Sequence, residues 1–227
     1  MSDIQTKELL EDALLLVEQN FYFLHAGAFF DKLSREHDLS ALHQTPVYKQ
    51  LDDGTLYLYN QTIISELMSD ASKKSPNEPT LFGYFVELNA IRGICMATIE
   101  AAKLDSPFKT YLQNKLRQQY EDFIDVVSFV RNVLSHNIHA EIRLSELDFK
   151  GTRERIVRMR RNTDIAIDID YQHILPEIKT PKNGYGFQCH INFADLKPND
   201  EFLEILSQTE LFKLAELCYN FVYGYKL

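Results

Sequence analysis

Apolar residues recur at three- and four-residue spacing along most of the chain, and that period predicts a succession of helices. Leu9, Leu10, Ala13, Leu14, Val17, Phe21, Leu24 and Ala28 mark one stripe, so residues 4 to 34 read as a long amphipathic helix. Residues 35 to 59 are mixed, with Asp52-Asp53-Gly54 as a turn between short aromatic stretches. A shorter helix covers 60 to 73 and ends in the polar, proline-bearing SKKSPNEPT. Helical spacing resumes over 80 to 104 through Phe82, Phe85, Leu88, Ile91, Cys95 and Ile99. Ser106-Pro107 then supplies a cap and a proline at the first helical position. It opens a helix to about 137 with Tyr111, Leu112, Leu116, Tyr120, Phe123, Ile124, Val127 and Val130 on its apolar side.

The pattern changes after that. In RERIVRMRRNTDIAIDID, β-branched residues alternate with polar ones and predict two strands around an RNTD turn. A third strand is expected in GFQCHINF, residues 186 to 193, before KPND at 197–200. The chain closes with an amphipathic helix from about 200 to 222, using Phe202, Leu203, Leu206, Leu211, Leu214, Leu217 and Phe221. The expected fold is therefore mainly α: a single domain over 1–227, an antiparallel helical bundle. A β-hairpin or three-strand insertion at about 150–195 precedes its last helix. That insertion is too small for a stable core of its own and should lean on the bundle or on a second subunit.

Composition narrows the class. Hydrophobic residues make up 45% of the chain and aromatics 12%, which excludes a mainly disordered protein. Tryptophan is absent, so Phe, Tyr and Leu fill the core. Cys95, Cys189 and Cys218 are far apart and match no metal spacing, which fits a reducing compartment and thiols used as small hydrophobes. The acidic, amphipathic start MSDIQTKELLEDALLL is unlike a signal peptide. No apolar run approaches the roughly 20 residues that span a bilayer. A soluble cytoplasmic protein with no membrane partner is expected. The net charge of −9 means that any nucleic-acid contact must rest on a local patch.

One stretch departs from the bland apolar helix. FVRNVLSHNIH, residues 129 to 139, gathers Arg131, Asn132, His136 and His139. At about 100° per residue, Asn132 and His136 share a face, whereas Arg131 lies roughly 140° from His136. Either the helix distorts or ends near 136, or two copies face each other and bring two arginines and two histidines to a shared cleft. Against a chemical role stands a simple alternative: cations near a helix C-terminus complement its dipole.

The six residues Arg131-Asn132-Val133-Leu134-Ser135-His136 resemble the R-x4–6-H motif of HEPN domains, in which a polar residue commonly follows the arginine. The resemblance covers the helices around 80–138 and 200–222, with the insertion outside the shared core. It implies metal-independent endoribonuclease activity in a homodimer, with Arg131, Asn132 and His136 as catalytic residues, no cofactor and no metal. It also implies a place as the effector of a bacterial defence or toxin–antitoxin system, with an antitoxin protein as a possible partner. The residue types suit that chemistry: histidine moves protons near neutrality, and an arginine fork stabilises charge on a phosphate. The products would be a 2′,3′-cyclic phosphate and a 5′-hydroxyl. The alternative within the same resemblance is a non-catalytic dimeric module that binds RNA, nucleotide or protein.

Some HEPN toxins carry a tyrosine two residues after the histidine; here Ile138 stands there, so regulation through that tyrosine is not supported. Glu87, Asn89 and Glu100 are candidates for the acidic or polar residue that the family often places on an earlier helix. Beyond the motif, KGTRERIVRMRR holds Arg155, Arg158, Arg160 and Arg161, a candidate RNA-binding patch. Read as a strand, it puts Arg158 and Arg160 on one face and Arg155 and Arg161 on the other. The competing reading is a charge-protected hairpin neutralised across the turn by Asp164, Asp168 and Asp170. His136 and His139 with His173 or His190 are a conceivable metal set, but no cysteine or carboxylate spacing supports it. His25, inside an apolar helix, reads as a core histidine.

Overall fold

The computed structural model describes residues 3–37, 48–74, 80–136, 141–170 and 186–227. The helices are α1 (Asp3–Glu36), α2 (Gln61–Lys73), α3 (Leu81–Lys103), α4 (Pro107–Leu116), α5 (Tyr120–His136), α6 (Glu146–Arg158), α7 (Phe202–Ile205) and α8 (Gln208–Lys226). Two antiparallel pairs accompany them: β1 (Tyr48–Gln50) with β2 (Leu56–Leu58), and β3 (Asp164–Asp170) with β4 (Gly186–Asn192). The protein is thus a mainly α-helical bundle with two small β-hairpins. Among the described residues, no helix is long and apolar enough to cross a membrane.

The chain forms two compact units, Met1–Phe21 with Ala90–Leu227, and Tyr22–Asn89. In the smaller unit, Gly54 takes φ +83° at the β1–β2 turn, a left-handed conformation that suits glycine. Asn60 Oδ1 accepts from the Thr62 backbone N–H at 3.0 Å and caps α2. On α1, Asp31 accepts from Arg35 Nε at 3.0 Å and from the Thr80 hydroxyl at 2.5 Å.

The larger unit holds the core. Leu10, Ala13, Leu14, Val17 and Phe21 of α1 are buried, and Phe21 stacks on Tyr219 of α8 with ring centroids 4.2 Å apart. Leu9, expected on that stripe, is 43% exposed. Phe129 of α5 meets Phe193 at 5.4 Å and Phe202 of α7 at 5.8 Å, edge-on in both cases, so α5 is gripped on its apolar side by the end of the β unit. His25 lies on an exposed part of α1 and not in the core, because the buried positions of that turn fall to Leu24 and Gly27.

Two expectations need correction. The helix expected from 107 to 137 is divided at Leu116 by a 3₁₀ turn, Arg117–Gln119, with Arg117 at φ +50°. No glycine or proline marks this break. Its reason is tertiary: the Gln119 amide donates to the Asp168 carbonyl at 3.1 Å and accepts from the Asp168 N–H at 2.9 Å, closing the outer edge of β3.

The second correction concerns RERIVR, which is helix and not strand. Ser145 and Asp148 form a reciprocal capping box that starts α6, and Phe149, Thr152 and Ile156 turn to one buried face at helical spacing. The helix ends in a Schellman motif, with Arg161 N donating to Ile156 O at 3.1 Å and Arg160 N to Val157 O at 2.9 Å. Arg160 occupies the left-handed position at φ +54°. Among the described residues the insertion is therefore a helix followed by a two-stranded pair, and not a three-stranded unit. In that pair Ile165, Ile167 and Ile169 alternate inward against Phe187, Cys189 and Ile191.

Candidate functional site

Helix α5 carries the motif, and its sequence explains why only some of the motif's side chains emerge. Phe123, Val126, Val127, Phe129, Val130 and Val133 are fully buried, so this helix has a wide apolar face. Asn132 sits beyond that face, and His136 ends the described part of the helix with its ring 46% exposed. The next residues to be described, from 141 onward, lead into α6, whose N-terminus returns to the last turns of α5.

The meeting point is Asp148. Its side chain is fully buried, yet each of its polar groups is engaged. Oδ1 lies 2.8 Å from His136 Nδ1. Oδ2 accepts from the Ser145 backbone N–H at 2.7 Å and from the Ser145 hydroxyl at 3.0 Å. Its main-chain carbonyl accepts from Asn132 Nδ2 at 3.3 Å. One residue at the third position of α6 therefore ties down both Asn132 and His136. His136 Nε2 has no hydrogen-bond partner among the described residues.

Arg131 is not part of that junction. Its Nε is buried with no hydrogen-bond partner among the described residues. Its charge is felt at Cys95: burial pushes that thiol well above its ordinary pKa, Cys218 adds to the rise, and Arg131 opposes it. The charge of Arg131 thus acts on Cys95 of α3, while His136 contacts α6. The helical geometry that separated the two in the sequence holds in the single chain. Its main-chain carbonyl accepts the Ser135 hydroxyl at 2.7 Å, a back-bond along the helix.

The four arginines of the candidate RNA patch, on α6 and the turn after it, divide in two. Arg155 donates through Nε to Asp125 Oδ1 at 2.7 Å and through Nη1 to Glu121 Oε2 at 2.9 Å. Arg161 donates through Nη1 to Asp125 Oδ2 at 2.6 Å and also binds Asp122. Asp125 is fully buried between the two guanidiniums; burial raises its pKa, and both arginines pull it back down. Arg155 and Arg161 are thereby committed to α5 carboxylates, whereas Arg158 and Arg160 are exposed. Being helical, this segment does not sort its arginines by strand face. The expected neutralisation by Asp164, Asp168 and Asp170 is also not what is seen: the acids that meet Arg155 and Arg161 come from α5.

Of the candidates on the preceding helix, Glu100 is exposed and paired with Lys103 at 2.7 Å, while Glu87 and Asn89 fall in the smaller unit. The carboxylate that reaches the histidine comes from the following helix. Sequence reasoning missed Asp148 because RERIVR was read as strand. The signal was present as Ser145-x-x-Asp148, an N-terminal capping pattern twelve residues after His136.

His139 and His173 lie outside the described residues, as does Ile138. His190 is exposed and pairs with Asp164 at 2.6 Å. Among the described residues, no three His, Cys, Asp or Glu side chains gather where they would hold a metal ion. The three cysteines are free and buried, and burial pushes Cys189 and Cys218 up to about 12, so neither offers a reactive thiolate. The groove at the α4–α5 break, with Lys115, Arg117 and Gln119 in its lining, contains none of the expected site residues. No family model, curated protein or solved structure matches this chain.

Proposed function

We propose that the protein is a HEPN-like, metal-independent endoribonuclease of the cytoplasm, acting as a homodimer in which the last turns of α5 from two copies line one cleft. The observation that carries this reading is His136: an imidazole that is half exposed, anchored through one ring nitrogen, with no partner at the other among the described residues. That is the disposition of a proton-transfer group and not of a core histidine. Arg131 would bring its guanidinium to the charge on a scissile phosphate through its terminal nitrogens, since its Nε is buried, once a second copy completes the cleft. Asn132 shares the junction of His136 and keeps the motif's register.

In the reaction, the ribose 2′-oxygen attacks phosphorus as its proton passes to one imidazole. The P–O5′ bond breaks, and the departing 5′-oxygen receives a proton from the other imidazole. The products are a 2′,3′-cyclic phosphate and a 5′-hydroxyl. In a defence or toxin–antitoxin setting, an antitoxin protein would hold this activity in check.

The test is incubation of RNA with the protein in EDTA beside His136→Ala, with end-group analysis of the fragments. The expected result is EDTA-resistant cleavage to cyclic-phosphate ends that His136→Ala lowers by at least about 100-fold. Equal cleavage by both proteins, or none by the wild type, overturns the proposal.

A second reading, the non-catalytic dimeric module, is favoured by Arg131, whose Nε is buried and which does not join the His136–Asp148 contact within one chain. Two of the four cations expected to hold RNA, Arg155 and Arg161, are already neutralised by Glu121, Asp122 and Asp125. This reading predicts a dimer that binds RNA, nucleotide or protein and leaves phosphodiester bonds intact. Charge reversal of Arg158 and Arg160 would then weaken RNA binding and flatten its salt dependence.

A further inference from the structure

We propose that Asp148 is the positioning residue of His136: it fixes the imidazole as the Nδ1–H tautomer and so reserves Nε2 for proton exchange with RNA. The inference rests on the ribonuclease reading and adds to it a residue from outside the motif.

The geometry restricts the choices. An ionised carboxylate only accepts hydrogen bonds. Oδ2 of Asp148 already accepts two, from the N–H and the hydroxyl of Ser145, so the carboxylate cannot swing. Oδ1 faces His136 Nδ1 at 2.8 Å, within the range of a charge-assisted N–H···O bond. The nitrogen must then be the donor, which leaves the lone pair of the neutral ring on Nε2. The carboxylate also lies in the first turn of α6, where unpaired backbone N–H groups favour an anion.

A second tie makes the contact reproducible. Asn132 Nδ2 donates to the carbonyl of the same Asp148, so a rotation of α6 that broke the His136 contact would also break this one. The ring is held from its buried side, and its exposed side meets no partner among the described residues. The same bond stabilises an imidazolium once Nε2 has taken a proton, so the residue serves both halves of the transfer.

A purely structural Asp148 would stabilise the fold without caring which nitrogen of His136 carries the proton. The distinguishing measurement is therefore the tautomer, read from the ¹⁵N shifts of His136 in histidine-labelled full-length protein above neutral pH. The wild type is expected to show a protonated Nδ1 and an unprotonated Nε2. Asp148→Asn keeps the shape but presents an amide N–H to Nδ1, so the tautomer should invert. Cleavage should fall at least about 100-fold in kcat, with KM within about twofold. Thr152→Ala removes a buried hydroxyl of α6 that hydrogen-bonds to neither Asp148 nor His136, and should keep the tautomer and most of the cleavage.

A wild-type His136 with its proton on Nε2 overturns the proposal without any variant. So does an Asp148→Asn protein that keeps the wild-type tautomer or cleaves within a fewfold of wild type. If Thr152→Ala loses as much cleavage as Asp148→Asn while holding the tautomer, Asp148 acts through stability and the proposal fails. Absence of cleavage by the wild type instead overturns the ribonuclease reading, and with it the catalytic role of the pair, while the ¹⁵N shifts still decide the tautomer.

Discussion

Helix α5 meets α6 and the turn that ends it at two places, and each is built around one fully buried aspartate. Upstream, Glu121, Asp122 and Asp125 meet Arg155 and Arg161; downstream, Asn132 and His136 meet Ser145 and Asp148. Upstream, each guanidinium lies against carboxylates, with Arg155 28% exposed, Arg161 19% and Asp125 fully buried. Downstream, a fully buried carboxylate anchors a ring that is 46% exposed. A set of charges whose partners are used up internally is scaffold. A set that ends in an open donor or acceptor is available for chemistry. Counting arginines in KGTRERIVRMRR cannot make that distinction, because the partners lie some thirty to forty residues earlier in the chain.

The sharpest way to break this contrast is to remove one member of each junction. Asp125→Ala removes the carboxylate shared by two guanidiniums that keep Glu121 and Asp122, and should cost about 2–3 kcal/mol, measured by urea unfolding. Cleavage per folded molecule should be unchanged. His136→Ala should do the reverse: cleavage falls at least about 100-fold, near 3 kcal/mol in barrier height, while stability drops by only about 1 kcal/mol. If Asp125→Ala abolishes cleavage in protein shown to be folded, or if His136→Ala unfolds the chain, the division into scaffold and site is wrong.

Ser145→Ala comes next in size. It removes one arm of the capping box and should cost about 1 kcal/mol in unfolding free energy. A loss near that of Asp125→Ala would mean that the downstream junction is scaffold too.

Much of the helical architecture was legible because it rests on local signals. Ser106-Pro107 marks the start of α4, and α3 and the end of α5 fall within a few residues of where the stripes put them, whereas the closing helix expected from about 200 to 222 is divided into α7 and α8. The alternation in β3 and β4 was equally plain. What failed was decided at long range. The α4–α5 break depends on Gln119 reaching Asp168, and the helical state of α6 depends on burying Phe149, Thr152 and Ile156. Those contacts outweigh the β-branched Ile156 and Val157 that made the segment look like a strand. The motif residues could be named from sequence alone, and so could the angular separation of Arg131 from His136. Asp148 could not be, because finding it required first knowing that α6 is a helix whose N-terminus returns to α5.

The smallest effect concerns Arg160, which bridges the two junctions' logic. It holds the left-handed position of the α6 Schellman motif at φ +54°, a place where a Cβ is disfavoured. Arg160→Gly should therefore raise stability by about 0.5–1 kcal/mol, the relieved strain being partly offset by glycine's greater backbone freedom in the unfolded chain. The turn also aims Arg161 back at Asp122 and Asp125, and a more relaxed turn should leave that pairing intact. If the exposed Arg160 contacts RNA phosphate, the same variant should bind RNA more weakly, with a salt slope shallower by about one unit. A variant that gains stability and keeps its RNA affinity would remove Arg160 from the binding surface and leave Arg158 alone among the four arginines first assigned to it. A variant that loses stability would show that the turn needs its arginine side chain, against the purely conformational reading.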